Sequence, residues 1–65
     1  MMYKLTVKKT HRIVCECKYV GDIFIEIEER FNDDGYALEL QAWCENAKDG
    51  DMYDDEHVTI EVVCE

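Results

Sequence analysis

Four cysteines, Cys15, Cys17, Cys44 and Cys64, are the residues whose type and spacing first suggest chemistry. On an extended segment, Cys15-x-Cys17 points both sulfurs to one side, and the other two could meet them at a tetrahedral zinc or pair as disulfides. Their setting argues otherwise. Zinc thiolates usually come from turns or knuckles, whereas these cysteines lie among Leu, Ile and Val, where a reduced thiol behaves as a small hydrophobe. Core packing is the expected role, and neither a metal nor another cofactor is expected.

A second candidate is the acidic run Asp49-Gly50-Asp51-Met52-Tyr53-Asp54-Asp55-Glu56. Asp-x-Asp can open a calcium loop, but the glycine, the later oxygen positions and the final glutamate miss EF-hand spacing. The run reads as a solvated loop or as a surface that meets a basic partner. Catalytic parts are scarce. The chain has no serine, its histidines His11 and His57 stand at strand starts with no nucleophile assigned to them, and no glycine-rich phosphate loop occurs. A non-enzymatic protein is the expectation.

These residues must be positioned by a small body. With 65 residues, the chain is expected to form one domain over 1–65. A domain of that size buries only about 60% of the surface its unfolded chain exposes, so nearly every apolar residue is needed in the core. No stretch of apolar residues is long enough to span a membrane, and the start Met1-Met2-Tyr3-Lys4-Leu5 lacks a signal-peptide apolar run, so a cytoplasmic location is expected.

Net charge is −9 and unevenly spread. Residues 1–18 carry five cations against Glu16, a net of +4, and residues 19–65 carry fifteen acids against Arg30 and Lys48, a net of −13. Such a surface repels nucleic acid and anionic membrane and attracts basic partners.

Alternation of apolar and polar residues predicts strands at Tyr3–Val7 and Ile13–Tyr19. Val20, Ile23, Phe24, Ile27 and Phe31 fall on one helical stripe, which predicts a helix over 21–33. Asp22 is its expected cap, Glu26 and Arg30 an i, i+4 pair, and Asn32-Asp33-Asp34-Gly35 its stop, with Gly35 free to take left-handed dihedrals. Tyr36, Leu38, Leu40, Ala42 and Cys44 alternate with Ala37, Glu39, Gln41, Trp43 and Glu45, which predicts a third strand. A polar loop over 46–56 and a strand from Val58 to Cys64 complete an α+β order ββαββ, a four-stranded sheet with one helix packed on one face. All four cysteines then share the helix-facing side. Val14, Trp43 and Val63 face outward, where the tryptophan reads as an interface anchor, as a cover for a neighbouring apolar side chain, or as part of a homodimer contact through the open sheet face.

The chain resembles immunoglobulin-binding domains of the protein G type, a β-grasp fold, at scattered places. These are Met1-Met2-Tyr3-Lys4-Leu5, Asn32-Asp33-Asp34-Gly35, Trp43, and Tyr53-Asp54-Asp55 followed by Val58-Thr59-Ile60-Glu61-Val62. The link between Trp43 and Tyr53 is longer than in that family, and Phe24, Ile25 and Glu28 differ from its binding pattern. The resemblance implies the β-grasp fold and an antibody-binding surface built from helix and third strand through Ile25, Asn32 and Trp43.

Two function classes follow. The first is a small acidic inhibitor or adaptor that engages the basic, nucleic-acid-binding surface of a protein, as phage-encoded nuclease inhibitors and anti-CRISPR proteins of similar size and charge do. Asp49, Asp51, Asp54, Asp55 and Glu56 would stand in for phosphates and Trp43 would anchor the contact. The second is the β-grasp adaptor that the resemblance implies.

Overall fold

A computed structural model describes residues 1–64 of the chain. The elements in order are β1 (Met2–Val7), β2 (Arg12–Cys17), α1 (Val20–Phe31), α2 (Asp34–Asn46), β3 (Met52–Asp54) and β4 (Val58–Val63). The α+β class and the four-stranded sheet agree with the sequence reading, but the order is ββααββ, with two helices. The strands lie in the order β2-β1-β4-β3, and every neighbouring pair is antiparallel.

The main correction concerns residues 36–45, expected as the third strand and found in α2. Helical signals were present. Asp33 caps the helix, its carboxylate accepting from the Tyr36 N–H at 3.0 Å, and Asp34 stands in the first turn. Ala37, Leu38, Leu40, Gln41 and Ala42 are strong helix formers. Ala37, Leu40 and Cys44 are buried at helical spacing, whereas Leu38 and Ala42, which the strand pattern placed inside, are exposed. The missing strand comes instead from the acidic loop as β3, a three-residue edge beside β4.

Helix α1 follows the expected stripe, with Ile23 and Ile27 buried and Val20, Phe24 and Phe31 half-buried. Its N-cap is Tyr19, without a side-chain cap, and Asp22 is in the first turn. Glu26 and Arg30 pair as expected, Nε to Oε2 at 3.2 Å. The helix ends at Asn32, not Gly35, in the left-handed region (φ 51°), where the asparagine N–H donates to the Glu28 carbonyl at 2.8 Å. With Asp33 already capping α2, a two-residue link closes a helical hairpin.

One sheet face carries the core. Tyr3, Leu5, Cys17, Val58, Ile60 and Val62 meet Ile23, Ile27, Ala37, Leu40, Cys44 and Ala47 in one buried cluster. Helix α1 supplies Ile23 and Ile27 to this cluster and α2 supplies Ala37, Leu40 and Cys44, so both helices share the apolar face.

Strand β2 holds another departure. Leu5 opposes Cys15 and Thr6 opposes Ile13, so Val14 is the extra residue of a β-bulge. Beyond it the side-chain parity reverses. Ile13, expected inside, lies opposite Thr6 on the open face and is 53% exposed. Val14 is half-buried against the core. The hairpin turn ahead of it is closed by the Thr10 and His11 N–H groups donating to the Val7 carbonyl at 3.2 and 2.9 Å, with His11 itself at φ 56°. The open face is mixed in charge, Lys4 standing between Glu16 and Glu61 and Thr6 beside Thr59. Among the described residues no helix is long and apolar enough to cross a membrane.

Candidate functional site: the acidic surface

The five acids singled out in the 49–56 run have different fates. Asp55 is a structural hub. Its Oδ2 accepts the hydroxyls of Tyr36 (2.6 Å) and Tyr53 (2.7 Å), and its Oδ1 accepts the N–H groups of His57 (2.7 Å) and Val58 (2.8 Å). One carboxylate thus ties α2, β3 and the β3–β4 turn together. Burial would raise the Asp55 pKa, but the Tyr36 hydroxyl, the Val58 N–H, the Tyr53 hydroxyl and the His57 N–H outweigh it and hold the group at about 2. The same arrangement raises both phenols. Burial first, then the Asp55 carboxylate, pushes Tyr36 well up and Tyr53 to about 12. An acid so engaged has no oxygen to spare for a partner.

Asp54 is exposed but occupied. The Lys8 ammonium sits against its carboxylate, which also accepts the Thr59 hydroxyl at 3.1 Å, and these contacts lower its pKa. Asp51 folds its own loop, accepting the Lys48 N–H at 2.8 Å, while its backbone and that of Gly50 (φ 90°) are laced to Val62. Asp49 and Glu56 are exposed, and Glu56 lies 3.3 Å from the His57 Nε2.

Trp43 is not on the sheet. It projects from α2, half-buried, with its ring edge-on to Tyr53 at a centroid distance of 5.5 Å. It packs α2 onto the edge strand β3, which answers why a tryptophan stands there. The surface of helix plus third strand is not formed, because residues 36–45 are helical.

The two helices carry a larger acidic surface. From Val20 to Asn46 the chain carries eight acids against Arg30 alone. Seven of them, Asp22, Glu28, Glu29, Asp33, Asp34, Glu39 and Glu45, are exposed, and the eighth, Glu26, is the partner of Arg30. Two large apolar side chains emerge among these carboxylates, Ile25 (49% exposed) and Leu38 (58%). Helical periodicity extended through residues 34–46 would have revealed this layer.

The thiols separate by burial. Cys17 and Cys44 are buried and Cys15 half-buried, and none of the three is in a disulfide. Burial pushes Cys17 to about 12 and Cys44 to about 11, and also raises Cys15. Cys64 is exposed beyond the end of β4. Among the described residues no three His, Cys, Asp or Glu side chains converge as a metal site would require. His57, though exposed, lies against Phe31 (5.7 Å) and Tyr36 (5.9 Å), and His11 is exposed in the β1–β2 turn. No protein-family model, no curated protein and no solved structure matches this chain.

Proposed function

We propose that the chain is a small, non-enzymatic binding protein whose acidic helical layer engages a basic, nucleic-acid-binding surface of another protein. The observation that carries this reading is the run of seven exposed carboxylates from Asp22 to Glu45 with no unpaired cation among them. Carboxylates held on rigid helices present fixed negative charge, as a phosphate backbone does, and speed encounter with a basic surface. Ile25 and Leu38 supply the apolar contact that charge alone lacks. Asp49 and Glu56 extend the acidic surface beyond the helices. Asp55 takes no part, since its oxygens are spent within the fold.

The test is capture by the immobilised protein from a cell lysate, with bound proteins identified by mass spectrometry. Nucleic-acid-binding proteins are expected, displaced by free duplex DNA and by salt near 1 M, where the Debye length falls to about 3 Å. The triple variant Glu28→Lys, Glu39→Lys, Glu45→Lys should capture none of them. Capture that persists in this variant, or at high salt, overturns the reading.

A further inference from the structure

At one edge of the acidic layer, an open cleft of about 830 Å³ lies where the β1–β2 turn, the end of α1 and the β3–β4 turn meet. Its lining runs against the charge of the molecule. Lys8, Lys9 and Arg30, three of the chain's seven Lys and Arg residues, converge on it together with His57. Lys8 is held by Asp54, but Lys9 makes no ion pair among the described residues, and Arg30 meets Glu26 through Nε, which leaves its terminal nitrogens for another acceptor.

The floor is aromatic. Phe31 and His57 lie 5.7 Å apart with planes tilted by 51°, and Tyr36 backs both rings edge-on. The walls are held in place by backbone contacts. The Lys8 N–H donates to the His57 carbonyl at 3.0 Å, and the His57 N–H donates to Asp55 at 2.7 Å. The backbone frame of the cleft is therefore fixed, with the Lys9, Glu29, Arg30 and Glu56 side chains exposed around it and a volume in the size range of small-molecule sites.

Two carboxylates, Glu29 and Glu56, complete the lining. They oppose an extended polyanion, as does the net charge of −9. They suit a ligand that carries N–H donors beside one anionic group. Cations suit a phosphate, ring faces a planar base and carboxylates an exocyclic amine. We propose that this cleft binds a nucleoside monophosphate, with Lys9 and Arg30 on the phosphate and Phe31 and His57 against the base.

The proposal is tested by titrating the ¹⁵N-labelled protein with adenosine 5′-monophosphate and, separately, with adenosine. Saturable shifts are expected at the amides of Lys8, Lys9, Phe31 and His57, with a Kd of about 1 mM or tighter. Lys9→Glu should weaken binding about tenfold or more and Arg30→Gln less, both with unchanged spectra elsewhere. Adenosine should bind more weakly than its monophosphate. Equal binding of the two, unchanged affinity in Lys9→Glu, or shifts that map outside the cleft overturn the proposal. The triple variant Glu28→Lys, Glu39→Lys, Glu45→Lys should bind the nucleotide undiminished, which separates nucleotide binding from capture of a basic partner.

Discussion

At the scale of single residues, Asp55 contributes most. Asp55→Ala would leave two tyrosine hydroxyls and two backbone N–H groups without their acceptor. Each such bond contributes about 1 kcal/mol, and water replaces part of them at this half-buried site, so the loss is about 2–4 kcal/mol, a large share for so small a domain. Urea denaturation should show it as a lower midpoint with an unchanged slope. The same residue sets an acid limb of stability. Its folded pKa of about 2 lies below the ordinary 3.8, so the unfolded chain binds its proton first as pH falls. The stabilisation is present above pH about 4 and is lost as pH falls toward 2. In Asp55→Asn this limb should be shallower, measured by melting temperature across that range. The thiols give a second residue-scale prediction. Cys64 should react first with an aromatic disulfide reagent, whereas Cys17 and Cys44, buried and with raised pKa values, should react only as the protein unfolds. Equal rates for all four would contradict the burial described here.

At the scale of elements, the helical hairpin is specified by two residues of opposite duty. Asn32 ends α1 with left-handed dihedrals, and Asp33 begins α2 by capping Tyr36. Asp33→Ala should cost about 1 kcal/mol, and Asp33→Ser should retain most of the stability; thermal melts of both variants decide this. The stop at 32–35 was legible in the sequence, but not that it is also a start. The stripe of α1 was legible because Val20, Ile23, Phe24, Ile27 and Phe31 point one way whatever surrounds them. Residues 36–44 were not, because Tyr36, Leu38, Leu40, Ala42 and Cys44 alternate while Ala37, Leu40 and Cys44 keep helical spacing, and a short segment can satisfy both periods. The bulge at Val14 was hidden for a related reason. Ile13, Cys15 and Cys17 alternate without interruption in sequence, and only the pairing with β1 shows that Ile13 has changed face.

At the scale of the whole molecule, charge is segregated. The β1–β2 hairpin region to residue 18 is net +4, residues 20–46 are net −7, and residues 47–65, seven acids against Lys48, are net −6. Repulsion within the acidic part opposes folding. Raising ionic strength from about 0.01 M to about 0.15 M shortens the Debye length from about 30 to about 8 Å. The melting temperature should rise, by about 4–8 °C for each 1 kcal/mol of repulsion relieved, and the charge-reversed triple variant should show a smaller rise. Of the candidate site, the acidic character was legible from composition, but its placement was not. Asp54 and Asp55 read as outward charge and are engaged by Lys8 and Tyr36, residues far from them in sequence, and by the neighbouring Tyr53. Trp43 read as an outward residue on the sheet, either an interface anchor or a cover for a neighbouring side chain; it lies on α2 instead and packs on Tyr53.

The sequence by itself determined the α+β class, the first two strands, α1, the last strand and the excess of acid, because each rests on a local pattern or a count. Only the tertiary structure decided that residues 34–46 form a second helix and that the acidic loop lends a strand. The reason is that residues 36–44 fit both periods, and the choice rests on burying Ala37, Leu40 and Cys44 against α1 and the sheet, contacts made by residues distant in sequence.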